Sequence, residues 1–164
     1  MRALLIRHAT AVPRGTPGIP DDERKLTPKG KARFRVAAKG LARIASRPDV
    51  LLTSPLPRAR QTAKIAARAF KRVEPTDEPA LARGGVPAIL RALEAHPAGA
   101  TVALVGHEPT LSVLLAHLLG ARDGDRFAFK KGGAALVDLP DGPAHPGRLL
   151  WFLRPRVLRA LADS

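Results

Sequence analysis

Ala3-Leu4-Leu5-Ile6-Arg7-His8 and Val102-Ala103-Leu104-Val105-Gly106-His107 are the stretches on which the fold turns. Each is a run of four β-favouring apolar residues closed by a charge or a glycine, the pattern of a short strand buried inside a parallel sheet. A third run, Val50-Leu51-Leu52-Thr53, leads into Ser54-Pro55-Leu56-Pro57-Arg58-Ala59-Arg60-Gln61-Thr62, where the prolines mark a helix start. Whatever follows a buried strand lies at its carboxyl edge, where loops from several strands converge and where open α/β sheets bind ligands. Three strand ends therefore deliver two histidines and at least two arginines to one edge.

Working outward, strand signals alternate with helix signals. Residues 9–26 carry Pro13, Gly15, Pro17, Gly18 and Pro20 and form a loop behind the first motif, long enough to act as a flap. Thr27 is placed to cap a helix with Pro28 at its first position, and Phe34, Ala37, Ala38, Leu41, Ile44 and Ala45 recur at three- and four-residue steps. Lys29, Arg33, Lys39, Arg43 and Arg47 fall on the opposite, solvated face. A second helix is predicted from near residue 55 to about Phe70, with Arg58 in its first turn. A short strand from Arg72 to Glu74 and a helix from Pro87 to Ala95 follow; behind the strand Thr101 to Val105 comes an apolar helix, Leu111 to Leu119, stopped by Gly120. This alternation argues for βαβ units around a mostly parallel sheet, an α/β fold. Phe127 to Phe129, Ala134 to Leu139 and Arg148 to Leu153 then read as strands of an antiparallel meander at the C-terminal edge, before a last helix from Val157 to Ala162. No repeat, low-complexity tract or linker interrupts the pattern, and 164 residues is about one domain's length, so residues 1–164 are expected to form a single domain.

Composition narrows the function classes. Hydrophobic residues at 45% and charged residues at 26% are near globular averages, and an aromatic fraction of 4% requires an aliphatic core. The absence of cysteine excludes disulfides, zinc fingers and a cysteine nucleophile, and fits a reducing compartment. The apolar run near the N-terminus is cut off by Arg7 after four residues, too short for a signal-peptide core or a membrane span, so the protein is expected in the cytoplasm. The net charge of +14 is unevenly spread: residues 1–72 hold 18 Lys and Arg against 4 Asp and Glu, whereas residues 73–164 hold 10 against 10. Such a field steers anionic substrates. Nucleic acid is not the expected partner, because the basic residues are not interleaved with aromatics that could stack on bases.

The residues at the three strand ends suit phosphoryl transfer. A transferring phosphoryl group spreads charge over its equatorial oxygens, so a catalyst needs an in-line nucleophile and fixed cationic donors. Neutral imidazole is a suitable nucleophile near pH 7, and the planar, permanently charged guanidinium binds two oxygens at once. The chain lacks HExxH, DxDxDG and any dense His and Asp cluster, so no metal is expected.

At this point the motifs carry a family likeness. Leu5-Ile6-Arg7-His8-Ala9, Arg24-Lys25-Leu26-Thr27-Pro28-Lys29-Gly30, Thr53-Ser54-Pro55-Leu56-Pro57-Arg58-Ala59-Arg60-Gln61-Thr62-Ala63 and Val105-Gly106-His107-Glu108-Pro109 resemble, in order, the phosphoglycerate mutase-like histidine phosphatase superfamily, and within it the short SixA-type phosphohistidine phosphatases. The resemblance implies a three-layer α/β/α fold, no cofactor, His8 as the group that becomes phosphorylated, Arg7 and Arg58 on the phosphoryl oxygens, and His107 stabilising the group in transfer. Arg58 is preferred to Arg60 by the family register, and residues two apart on a helix point in different directions. Thr10 is a further substrate-binding candidate. His96 and His145 precede prolines and read as solvent-facing, and His117 reads as a packing or surface residue.

Two departures bear on substrate. Ala9 stands where many relatives have glycine, a small change that SixA-like members often share. Phosphomonoesterases and mutases of the superfamily use a carboxylic acid to protonate the leaving group, and Asp77-Glu78-Pro79-Ala80-Leu81 has alanine where relatives often have an acid. Glu108 is the nearest substitute by sequence, with capping of the following helix as its alternative role. Because the imidazole of phosphohistidine leaves more readily than an alkoxide, the missing acid favours a phosphohistidine protein as substrate. The competing readings are a small-molecule phosphomonoesterase of the same superfamily and a non-catalytic module that binds polyphosphate or nucleic acid.

Overall fold

The computed structural model describes residues 1–71 and 73–163. Six strands form one sheet in the order β3-β2-β4-β1-β5-β6, with β1 Arg2–Arg7, β2 Val50–Thr53, β3 Pro75–Asp77, β4 Thr101–Gly106, β5 Ala134–Asp138 and β6 Arg148–Leu153. β1, β2, β3 and β4 pair in parallel, whereas β5 pairs antiparallel with both β1 and β6. The sheet is thus mostly parallel with an antiparallel C-terminal edge.

Alternation of side chains along each strand divides the core. Leu4 and Ile6 of β1, Leu51 of β2 and Ala103 and Val105 of β4 pack against α1 (Pro28–Ile44), α2 (Pro57–Ala69) and Leu158 of α5 (Pro155–Ala160). Ala3 and Leu5, Leu52, and Val102 and Leu104 face the other way, onto Ile89 and Leu93 of α3 (Gly85–Glu94) and Leu111, Leu114, Leu115 and Leu118 of α4 (Thr110–Leu118). Three layers result because each central strand is apolar on both sides. The core is aliphatic, as the low aromatic content requires; of the aromatics, Phe34, Phe70 and Phe129 are buried.

α1 begins as its sequence signals: Thr27 Oγ1 accepts the Gly30 N–H at 2.9 Å, and Pro28 occupies the first turn. Three expectations are corrected. The strand placed at Arg72 to Glu74 lies at Pro75–Asp77, with Arg72 outside the described residues. Val73 is buried in the core without joining the ladder, which starts where Pro75 meets Leu51, and a proline fits the first position of an edge strand. Phe127 to Phe129 is not a strand: Gly124–Phe127 is a 3₁₀ turn. The backbone of Phe129 serves side chains instead, its N–H reaching Glu108 and its carbonyl accepting from Arg7. The helix expected from Pro87 starts at Gly85, behind a π-helical turn over Ala80–Gly84. Among the described residues no helix is long and apolar enough to cross a membrane.

Candidate active site

The register of the sheet sets the site. Arg7 pairs with Gly106 across β1 and β4, and the His8 N–H donates to the Gly106 carbonyl at 3.0 Å, so His8 and His107 leave neighbouring strand ends side by side. Their rings lie 5.1 Å apart, tilted by 55°. The Ser54 N–H donates to the Val105 carbonyl at 2.9 Å, which brings the end of β2 and the start of α2 to the same place. Gly132, with φ of 78°, closes the far side; its N–H lies 3.1 Å from the carbonyls of both Arg7 and His8.

His8 is buried, and its Nδ1 lies 2.7 Å from the Ala9 carbonyl. A carbonyl can only accept, so Nδ1 carries the proton and Nε2 holds the lone pair. Among the described residues Nε2 has no hydrogen-bond partner, and it is not among the atoms sealed from solvent. Burial above all, with the charges of His107, Arg58 and Arg7, pushes the pKa of His8 down to about 3 despite the Ala9 hydrogen bond. The ring is therefore neutral at pH 7. Burial, and next the Arg58 charge, likewise bring His107 down to about 4. Its Nε2 is 2.7 Å from Ser54 Oγ.

The two arginines are held rigidly. Arg7 Nη1 donates to the Phe129 carbonyl at 2.6 Å. Arg58, 4% exposed, lies in the first turn of α2, and Thr62 Oγ1, one turn later, donates to the Arg58 carbonyl at 2.7 Å while accepting the Ala9 N–H at 3.0 Å. That hydroxyl fixes the backbone behind His8 against the helix bearing Arg58. Burial lowers the pKa of Arg7 and of Arg58 below the usual arginine value, the nearby Arg24 contributing at Arg58. Arg60 is exposed and ion-paired with Asp77, so it does not share Arg58's environment.

The loop of residues 9–26 contributes what the sequence did not reveal. It is braced by an antiparallel bridge between Ala11 and Leu26 and by Arg24 Nη1 donating to the Val12 carbonyl at 2.8 Å. Its 3₁₀ turn Asp21–Glu23 folds over α2: Arg58 Nη1 donates to the Asp21 carbonyl at 2.7 Å and Nη2 is 3.5 Å from the Asp21 carboxylate. That carboxylate also meets Arg14 at 3.0 Å and Arg24 at 2.9 Å. Burial alone would raise the pKa of Asp21, but Arg24, Arg58 and Arg14 together hold it below the usual carboxylate value. No periodicity marks Asp21 in the sequence; only the cluster of arginines around it does.

Neither Thr10 nor Glu108 is hydrogen-bonded to either histidine side chain. Thr10 is exposed, and its carbonyl accepts the Thr27 N–H at 3.1 Å. The Glu108 carboxylate accepts from Ser112 N at 3.0 Å, Ser112 Oγ at 2.8 Å and Phe129 N at 3.3 Å, tying α4 to the segment that holds Arg7. Among the described residues no group of three His, Asp or Glu side chains could hold a metal ion.

One further property sets these residues apart. Among the described residues, the buried side-chain nitrogens without a hydrogen-bond partner are Arg7 Nε, Arg58 Nε and His107 Nδ1. Buried polar groups are nearly always paired, and exceptions that gather in one place mark a site kept polar for something other than folding.

A family model described as histidine phosphatase superfamily (branch 1) matches residues 3–83. An uncharacterised protein of Picosynechococcus sp. is 35% identical over 147 residues, covering 88% of this chain and 87% of its own. The crystal structure of the SixA protein of Agrobacterium tumefaciens aligns with a TM-score of 0.79 at 30% identity, covering 94% of this chain and 98% of that one. The structure of the protein histidine phosphatase SixA complexed with tungstate aligns with a TM-score of 0.83 at 25% identity, covering 96% and 99%.

Proposed function

The chain belongs to the histidine phosphatase superfamily, in its SixA-type branch, and is a phosphatase; from that premise we propose that it removes phosphoryl groups from histidine side chains of proteins through a phosphorylated His8. The observation that carries this reading is the state of His8: a neutral ring with its proton committed to the Ala9 carbonyl and its free Nε2 facing solvent beside two arginines and a second histidine.

Two displacements follow. The Nε2 lone pair of His8 attacks phosphorus, the N–P bond of the substrate breaks, and its imidazole departs with that electron pair. When the substrate ring already carries a proton on its other nitrogen, it leaves as neutral imidazole and needs no acid from the enzyme. Water then attacks phosphorus of phospho-His8, the P–Nε2 bond breaks, and inorganic phosphate and free His8 result. Arg7 and Arg58 neutralise the charge on the equatorial oxygens in both steps, and His107 donates to the same group once its ring takes a proton beside the phosphoryl dianion.

The carboxylates near the site support a phosphoramidate over an unactivated ester. Asp21 is committed to three arginines, Glu108 to Ser112 and Phe129, Asp77 to Arg60, and Glu78 Oε1 accepts the Ala80 N–H at 3.0 Å. None of these four is hydrogen-bonded to His8, and Asp22, which faces Arg58 from the same 3₁₀ turn as Asp21, is exposed to solvent. The test incubates wild type and His8→Ala with a phosphohistidine peptide, a sugar phosphate and a phosphoserine peptide. Wild type is expected to release phosphate from the first alone and to form an acid-labile phosphoenzyme that His8→Ala lacks. Equal turnover of the sugar phosphate would move the reading to a small-molecule phosphomonoesterase.

A further inference from the structure

Beside the catalytic edge runs a groove of about 340 Å³ whose charged lining residues are all basic: Arg33 of α1, Lys130 and Lys131 of the segment before β5, and Arg154, Arg156 and Arg159 around α5. No acidic residue lines it. All six cations lack a carboxylate within 4.0 Å among the described residues, although seven ion pairs form elsewhere in them. The grouping is tertiary. Residues 73–164 carry no net charge, yet five of their ten Lys and Arg converge here, while none of their ten Asp and Glu does.

The groove lies beside the chain segment that carries His8. Ala9 and Thr10, the two residues after His8, form part of its wall, and Gly132, whose N–H lies on the carbonyls of Arg7 and His8, forms another. An occupant of the groove would therefore lie against the residues that follow His8 in the chain. The aromatic side chain in the lining is Phe34, which is 2% exposed and packed into the core, so the groove offers cations but no ring face on which a base could stack.

We propose that this groove is the docking surface for an acidic face of the phosphohistidine protein, the Asp and Glu side chains flanking the modified histidine lying against Arg33, Arg154 and Arg156. The inference rests on the function proposed above and specifies its substrate: a phosphohistidine in an acidic neighbourhood is preferred to the same group in a neutral or basic one. Charges at the rim of an interface act chiefly through encounter rate and selectivity, and their effect fades as salt shortens the screening length.

The experiment measures kcat/KM for wild type and the triple variant Arg33→Glu/Arg154→Glu/Arg156→Glu on three substrates: a phosphohistidine peptide flanked by Asp and Glu, the same peptide flanked by Lys, and free phosphohistidine. At low ionic strength wild type should prefer the acidic peptide by about tenfold or more, the lower end of electrostatic steering. That preference should shrink with added salt and vanish or reverse in the variant through KM, while turnover of free phosphohistidine stays unchanged. A triple Arg→Gln variant repeats the test with smaller charge change if the reversed one does not fold. The same peptide preference in wild type and variant would overturn the docking surface, as would an equal loss on free phosphohistidine. Loss of single-stranded oligonucleotide binding in the variant with peptide preference intact would reassign the groove to nucleic acid. If wild type releases phosphate from none of the three substrates, the proposed function itself fails, a result distinct from wild-type turnover that the groove variants leave unaltered.

Discussion

Glu108 neighbours His107 in the chain but spends both carboxylate oxygens on Ser112 and the Phe129 N–H. Glu108→Gln puts an amide NH2 among three donors and leaves one oxygen to satisfy them, so a loss of about 1–2 kcal/mol in stability is expected from unsatisfied buried groups. Phosphohistidine turnover should fall only a few-fold, through slackening of the Phe129 carbonyl that anchors Arg7. A positioned general acid would instead cost about 10²–10⁴ in rate; urea midpoints and turnover measured together separate the two roles. The histidines and Arg58 were legible in the sequence because strand ends and a helix start place them irrespective of what surrounds them. Asp21 was not, since its contact with Arg58 spans 37 residues and lies in a loop without periodicity. Ser54 and Thr62 stood inside a recognisable motif, but a hydroxyl's partners, here His107 and the Ala9 N–H, are set by tertiary approach.

At the scale of elements, α1 is pinned at two glycines. A Cβ on Gly40 would stand 1.8 Å from the Leu158 carbonyl oxygen, and one on Gly30 would stand 2.1 Å from the Thr10 carbonyl oxygen, so α5 and the loop behind His8 both approach α1 more closely than any side chain permits. Alanine in a helix interior is ordinarily better than glycine by about 1 kcal/mol. Here the clash is with backbone, which cannot rotate away, and overpacking of this kind costs roughly 1–3 kcal/mol or more. Gly40→Ala should therefore lower the thermal midpoint by several degrees, whereas Gly99→Ala, with nothing within 4 Å, should leave it unchanged. A neutral or raised midpoint in Gly40→Ala would show that α5 can move away from α1 at little cost. The same principle separates the elements that could be read in advance from those that could not. α1, α2 and the central strands announce themselves by apolar spacing, which their own side chains carry. Phe127 to Phe129 has strand-like composition, but its backbone groups are claimed by Glu108 and Arg7, and the π-helical turn at Ala80–Gly84 has no sequence period to betray it.

For the whole molecule, the fold concentrates cations on its carboxyl edge and keeps two histidines neutral among them, and that has a stability consequence. Burial holds His8 and His107 down to about 3 and about 4 in the folded protein, against 6.5 for an ordinary histidine in the unfolded chain. Below pH 6.5 the unfolded chain therefore binds two protons that the folded protein refuses. Folding stability is fully retained above that pH and declines as pH falls toward 4, with a slope approaching about 2.7 kcal/mol per pH unit when both sites differ. Asp21 and Asp77, whose pKa values lie below the ordinary carboxylate value, add their own losses only at lower pH, so the window from 6.5 to 5 isolates the histidines. Urea unfolding of wild type and His8→Asn/His107→Asn at pH 7, 6 and 5 reads this directly. Wild type should lose stability steeply across the series and the double variant much less, so that the variant overtakes it or closes the gap at pH 5; parallel curves would mean that the fold does not hold these rings neutral.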